Sequence, residues 1–502
     1  MTDGSLRQAA LSGARWTLAA KLGLQLVIWP ITILVIRLLE PGDYGLLAMA
    51  MVTIGFVALF GEMGLGIALV QADRLDETEA RAASAAIMIC SVVVAGVIVL
   101  LAPFAALWFE EPDLIQVMSV LTVELLISSV AAVPQAQLER QLRFRSLSIA
   151  AIWSGLAGAL TTLVLAFAGN GVWALVLGTL ASALVRTVLI VVFNGRVVWP
   201  SFRHPLAPIK GLIRFSGHVL AARTLWYWYG QSDQVILARL LHASTLGYYT
   251  VAAQLAMLPA NKAMEVINRV TFPVLARMRS EQGELRSMHL RLISLVAAYA
   301  FGTCWGMAAV APELVSTLLG DKWLIATLPL TVLAAVAPLR MLSALNNTIT
   351  SAAGAPQAST IELAVAGSLL PIAVLAGAFA DGLRGACLAW PVAYPIVYLI
   401  SNALTSRAVG NSKMSGLMSL GAPLVAGAAM WICVAALRSH LSAVMPTFVL
   451  LMTQVAAGAV AYVVALHVIA PALVRDAQTF TRSLLRPGQD DSAAARANVA
   501  SG

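Results

Sequence analysis

The chain has 502 residues, of which 60% are hydrophobic and only 11% charged, with a mean hydropathy of +0.85. A soluble domain carries about 25% charged residues to solvate its surface, so the composition excludes a soluble globule and points to apolar surface hidden in lipid. The net charge of +8, from 32 Lys and Arg against 24 Asp and Glu, fits loops facing an anionic membrane surface and gives no reason to expect nucleic acid.

A spanning helix needs about 20 mostly apolar residues, and about fourteen such runs follow one another. They lie near 16–38, 46–70, 82–102, 114–133, 147–168, 172–193, 216–239, 247–270, 291–311, 324–349, 357–380, 383–405, 414–437 and 447–473. The expected class is therefore all-α, a polytopic membrane protein. Residues 1–15 form a polar segment with no small-residue cleavage pattern after it, which predicts a retained first helix and no removable signal peptide. Residues 16–193 form a six-helix bundle, 194–215 a linker, 216–405 a second bundle, and 406–475 two additional spans. The linker is rich in Pro and base (Arg196, Pro200, Arg203, His204, Pro205, Pro208, Lys210, Arg214). The polar tail, 476–502, is expected to be disordered.

Basic residues set the expected orientation. With a cytoplasmic N-terminus, Arg140, Arg143, Arg145, the linker, Arg277, Arg279, Arg286, Arg291, Arg475, Arg482 and Arg486 all face the cytoplasm. The opposite side holds Lys322, Arg384 and Arg438, with Arg37 and Arg239 at helix ends. The positive-inside rule then places both termini in the cytoplasm.

The chain repeats itself. Arg37-Leu38-Leu39 with Gly45 recurs as Arg239-Leu240-Leu241 with Gly247, an offset of 239 − 37 = 202. Ala102-Pro103 recurs as Ala311-Pro312, and the turn before Gly171 recurs before Gly382, at offsets of 209 and 211. Three matches in order predict two pseudo-symmetric bundles around a central cavity, as in transporters that rock one half against the other.

Charges inside spans cost roughly 2.5–3.5 kcal/mol each at the helix centre, which makes them the default candidates for a pathway. The seventh helix aligns Ser216, Arg223, Tyr227, Gly230 and Gln234, with Asp233 beside them. The eighth aligns Gln254, Asn261, Glu265 and Asn268, flanked by Lys262 and Arg269; the tenth aligns Arg340, Asn347 and Ser351; the first aligns Lys21, Gln25 and Thr32. Stripes on several helices predict one water-filled cavity biased to positive charge; the alternative is polar contact between helices. Lys21, Arg186 and Arg269 also read as anchors snorkelling to the cytoplasmic surface. The intramembrane acids Glu62, Glu124, Asp233, Glu265 and Glu362 can stay protonated, pair with a base or bind a coupling ion.

No metal site or cofactor is expected, because the four cysteines and six histidines are scattered without ligand spacing. No phosphate loop or nucleophile elbow is present, and the outward loops are too short for acceptor chemistry, so the chain does not read as an enzyme.

Several stretches carry a family resemblance. "GARWTLAAKLGLQLVIWPITILVIRLLEPGDYGLLAMA" with "GEMGLGIALVQ" after it, "QLERQLRFRSLSIA" at 137–150, "GNGVWALVLGTLASALVR" at 169–186 and "SDQVILARLLHASTLGYYTVAAQLAMLP" at 232–259 resemble a Wzx-type polysaccharide flippase of the multidrug/oligosaccharidyl-lipid/polysaccharide exporter superfamily. The resemblance implies alternating access in the inner membrane and an undecaprenyl-diphosphate-linked glycan as cargo. It also implies a polysaccharide polymerase and a chain-length regulator as partners. Arg223, Arg340, Lys262, Arg269, Lys21 and Arg186 are then the candidates to face the diphosphate. Asp233, Glu62, Glu265, Glu124, Asn261, Asn347 and Gln234 are the candidates for cavity polarity or coupling. The rival readings are a multidrug or peptidoglycan-precursor exporter of the same superfamily, and a membrane polymerase.

Overall fold

The computed structural model describes residues 25, 27–62, 77–201, 209–277 and 282–485, and these are helical apart from short connections. The first half supplies α1 (Val27–Leu38), α2 (Pro41–Glu62), α3 (Glu77–Phe109), α4 (Leu114–Arg140), α5 (Phe144–Phe167) and α6 (Val172–Asn194). The second supplies α7 (Ile209–Leu240), α8 (Ala243–Arg277), α9 (Gly283–Ala309), α10 (Thr327–Ala352), α11 (356–380) and α12 (383–409). Helices α13 (Gly421–Leu441), α14 (Thr447–Ile469) and α15 (Pro471–Leu485) follow. Ten described elements are long and apolar enough to span a membrane, with α11 and α12 counted together. Helices α7 and α8 fall short of that measure because of their polar stripes.

Large apolar side chains cover the outside. Leu100, Phe104, Leu107, Ile432 and Val468 are all at least 69% exposed. Burying that surface would be obligatory in water, whereas in a bilayer lipid covers it and backbone groups are satisfied within the helices.

The helices group into two compact units. The first comprises Met1–Val251, Leu318–Ala326 and Gly367–Ala389; the second comprises Ala252–Thr317, Thr327–Ala366 and Trp390–Gly502. The first unit contains the joint that the sequence repeat implies. A methyl group on Gly45 would overlap the carbonyl oxygen of Ala243, and one on Gly247 would overlap that of Pro41. Pro41 and Ala243 are themselves 202 residues apart, so each half presents the same glycine to the same backbone position of the other. The arginines before these glycines are also exchanged. Arg37 donates to the Leu318 carbonyl at 2.7 Å, while Arg239 pairs with Glu110 at 3.1 Å and lies 5.5 Å over Trp108. Trp323 completes the joint. It is fully buried between Tyr44 and Tyr248, and its indole donates to the Ile36 carbonyl at 3.0 Å.

The third repeat is conformational. Gly171 has φ 52° and ψ −133°, and Gly382 has φ 51° and ψ −133°. These angles break the chain between α5 and α6 and between α11 and α12, in a region open only to glycine.

The second unit packs α9, α10 and α12 around Ile293, Val296, Phe301, Met341, Leu342, Leu345 and Tyr398. A π-helical turn at Phe301–Trp305 widens α9, and the Trp305 indole donates to the Ala335 carbonyl at 2.9 Å. Helices α13 and α14 are fastened to this unit by a buried charge. Arg438 reaches both Glu313 oxygens, at 2.6 and 2.7 Å, and the Ala309 carbonyl, and Gln454 donates to the same carboxylate at 3.2 Å. Burial raises the Glu313 carboxyl, but the Arg438 and Gln454 contacts outweigh it and hold the group below its ordinary value.

Two expectations shift. Helix α7 begins at Ile209, inside the stretch read as linker, and residues 198 and 201 of that stretch lie against α3, where Ser84 donates to the Val198 carbonyl. The tail read as disordered from 476 is helical through Leu485. Leu473 and Val474 of α15 pack on the Met430–Tyr462 cluster and Asp476 pairs with Arg291 at 3.4 Å. One apolar face was enough to order it, although its composition is polar overall.

Candidate functional site

Aromatic residues anchor the polar stripe of α7. Tyr227 donates to the Val52 carbonyl at 2.6 Å and rests over Gly55, where a Cβ would collide with its ring. Trp228 donates to the Gly367 carbonyl at 2.9 Å. These two aromatics fix the middle of α7 within the first unit, while Trp226 is 65% exposed. Arg223, one turn before Tyr227, is half-buried. Asp233 accepts from the Tyr249 hydroxyl at 2.6 Å and from the Gln234 backbone N–H at 2.8 Å. That carboxylate therefore ties α7 to α8.

On α8, Gln254, Asn261, Lys262 and Glu265 are all exposed. Four polar side chains thus line an exposed stretch of a long helix in a membrane protein.

On α10, half-buried Arg340 lies 4.9 Å over the Trp390 ring, which stacks on Tyr394. The contact is a cation–π interaction, in which the ring quadrupole attracts the guanidinium. Asn347 is half-buried, and its side-chain oxygen has no hydrogen-bond partner. The neighbouring Asn346, which the stripe did not include, is fully buried and donates to Ser401 at 3.2 Å. One turn on, Thr350 and Thr405 are 2.9 Å apart. Both pairs have a separation of 55 residues, so α10 and α12 run parallel in a dry polar ladder.

The other candidates are dispersed. Arg186 is exposed and donates to Gln135 at 3.2 Å, at the end of α4. Glu124 is half-buried on α4. Lys21 and the side chains of Glu62 and Arg269 lie outside the described residues. Among the described residues no group of three or more His, Cys, Asp or Glu is placed to hold a metal ion. Sequence reasoning missed the Glu313–Arg438 clamp and the α10–α12 ladder. The ladder did leave a signal: Ser343, Asn346 and Thr350, and Ser401, Asn402 and Thr405, each recur at helical spacing.

Residues 34–328, more than half of the chain, match the family described as polysaccharide biosynthesis protein. The chain belongs to that family. It is 26% identical over 468 residues to the succinoglycan biosynthesis transport protein ExoT of Rhizobium meliloti, covering 92% of this chain and 93% of that one. It is also 26% identical over 322 residues to the lipopolysaccharide biosynthesis protein WzxC of Escherichia coli, a match covering 64% of this chain and 65% of WzxC. Among solved structures it overlays on the lipid II flippase MurJ in an inward closed conformation with a TM-score of 0.69, covering 91% of this chain and 99% of that one at 10% identity. At that identity the overlay establishes the fold alone, an all-helical bundle, and the Wzx-type resemblance rests on the family match and the sequence relatives.

Proposed function

We propose that this family member flips an undecaprenyl-diphosphate-linked oligosaccharide from the cytoplasmic to the periplasmic leaflet of the bacterial inner membrane, for exopolysaccharide, capsule or O-antigen assembly. The observation that carries this reading is the exposed polar face of α8, with Gln254, Asn261, Lys262 and Glu265 along it. A polar headgroup crosses a bilayer only along polar, solvated helix faces, and a diphosphate needs cations that remain charged in low dielectric. Membership of a polysaccharide biosynthesis family supports a glycan-bearing cargo. Energy would come from an ion gradient, the membrane potential or the cargo gradient, and no bond is made or broken.

Arg223 is assigned to the diphosphate. Export by variants at normal membrane abundance tests this. Arg223→Lys should retain partial export, because a point charge still attracts phosphate without the bidentate fork. Arg223→Gln should abolish it. Recovery of export in the Arg223→Gln, Asp233→Asn double variant would make the arginine a neutraliser of an acid and remove it from the cargo path. Reporter fusions after residues 410 and 475 should both read cytoplasmic.

A further inference from the structure

The C-termini of α4 and α6 lie side by side in the first unit. Asn194 donates to the Gln137 side-chain oxygen at 3.0 Å and to the Arg196 carbonyl at 3.2 Å. Beside this contact is a cavity of about 230 Å³, lined by Gln137, Arg140, Gln141, Asn194 and Arg196. Gln137, Arg140 and Asn194 are half-buried, whereas Gln141 and Arg196 are exposed. The segment that carries Arg196 is pinned to α3. Glu77 reaches Arg196 at 3.5 Å, Ser84 donates to the Val198 carbonyl, and the Ser201 N–H donates to the Arg81 carbonyl at 3.1 Å. The cavity is therefore held open by three helices and is not a gap between loops.

Its lining is two guanidiniums and three carboxamides, with no acid among them. A basic residue at a helix C-terminus ordinarily caps the last carbonyls and opposes the dipole. Here other groups perform that task. The Gln137, Glu139 and Leu138 carbonyls accept from the N–H groups of Gln141, Leu142 and Arg143, and those of Val191 and Val192 accept from Gly195. The Phe193 carbonyl accepts from the Arg143 side chain at 2.9 Å. Guanidiniums and amides around a cavity then suit a ligand that is negatively charged and rich in acceptor oxygens, which is a phosphate. Arg196 can hold Glu77 and an anion together, because its fork carries five donors. The flanking residues indicate what carries the phosphate. Leu142 directly follows Gln141 and is 72% exposed; Trp199, three residues after Arg196, is 70% exposed; Phe144 and Val197 are exposed beside them. A soluble anion gains nothing from such neighbours. An amphiphile places its headgroup in the cavity and its chains along them, at the depth of a bilayer where tryptophan is favoured.

We propose that Gln137, Arg140, Gln141, Asn194 and Arg196 bind the headgroup phosphate of an anionic glycerophospholipid, whose acyl chains lie along Leu142 and Trp199. The charge asymmetry of the sequence points this end of the bundle to the anionic cytoplasmic leaflet. The site needs neither cargo nor transport, and its failure would leave the flippase reading standing.

The test is lipid binding by the purified protein in detergent at about 0.15 M salt, where attraction to net charge is screened beyond about 8 Å. Native mass spectrometry counts the lipid retained, and the melting temperature is followed as phosphatidylglycerol, phosphatidylcholine or inorganic phosphate is added. Phosphatidylglycerol should stay bound and raise the melting temperature saturably, whereas the other two should do neither. The Arg140→Gln, Arg196→Gln double variant should lose the retained lipid and need several-fold more phosphatidylglycerol for half-saturation. An Arg407→Gln, Arg475→Gln double variant removes the same charge from exposed positions in the second unit, and it should bind as wild type does. Gln141→Glu puts a carboxylate into the cavity from an exposed position. It should also abolish binding, and it carries the test if the first double variant does not fold. A phosphate response equal to that of phosphatidylglycerol would overturn the proposal. So would phosphatidylglycerol binding that survives in Gln141→Glu, or that is lost equally in the Arg407→Gln, Arg475→Gln variant.

Discussion

The two halves of this chain are alike at their helix ends and unlike in their helix interiors. At the ends, Gly45 and Gly247 meet equivalent backbone atoms, Arg37 and Arg239 reach across to the other half, and Gly171 and Gly382 share one backbone conformation. In the interiors the repeat offsets place apolar residues opposite the polar ones. Asp233 corresponds to Ile31 at 202, Glu313 to Phe104 at 209, and Glu362 and Ser401 to Ala151 and Ile190 at 211. The framework is common to both halves, whereas carboxylates at these positions belong to the second alone. An architecture that must join two halves keeps its joint symmetric and can place its polar chemistry on one side.

Breaking the symmetric part should have the largest effect, and it should be equal on the two sides. Gly45→Val and Gly247→Val each force a side chain into a facing carbonyl, where no flexible group can yield. Overpacking costs about 1–3 kcal/mol or more, and a backbone obstruction belongs at the upper end. Both variants should lose most of their folded, monodisperse protein by size-exclusion chromatography. A large loss at one glycine with none at the other would contradict the reciprocal joint.

The asymmetric part is sharpened by Arg438→Ala. It strands Glu313 in a site where that residue is 6% exposed, and removing one partner of a buried pair costs about 3–5 kcal/mol. The pH dependence has a definite sign. The folded carboxyl is held below its ordinary 4.5, so its contribution is complete above that value and is lost as pH falls through the folded one. The melting temperature difference between wild type and Arg438→Ala should therefore be constant near neutrality and narrow below about pH 4.5. A difference that widens in acid would exclude the assignment.

The smallest effects belong to the exchanged arginines. Exposed ion pairs contribute about 0–1 kcal/mol. Arg239→Ala, which gives up Glu110 and the Trp108 ring, should lower the melting temperature only slightly and far less than Arg438→Ala.

Much of the framework was legible because it is written in local identities. A glycine forced to positive φ and a glycine pressed on a carbonyl tolerate few substitutions, so both copies kept them and the offsets showed. The polar interior was harder to read. Asn346 and Asn347 are adjacent and 100° apart on a helix, and the stripe through Arg340 and Ser351 selected Asn347, whereas Asn346 fills the ladder. The clamp joins residues 125 positions apart, a separation to which periodicity is blind. Exposed Lys262 and buried Glu362 look the same in a hydropathy profile, although one needs water and the other a partner.

The central claim, that the protein moves a lipid-linked oligosaccharide between leaflets without altering it, is tested most directly by where the precursor resides when the protein is depleted. Intact cells would be probed with an impermeant reagent that modifies the glycan, and the labelled fraction compared with the total extracted after lysis. The account predicts that lipid-linked units continue to be made, accumulate, and stay shielded from the reagent until the membrane is opened. Normal labelling of these units on the outer face, with only polymerisation halted, would contradict it.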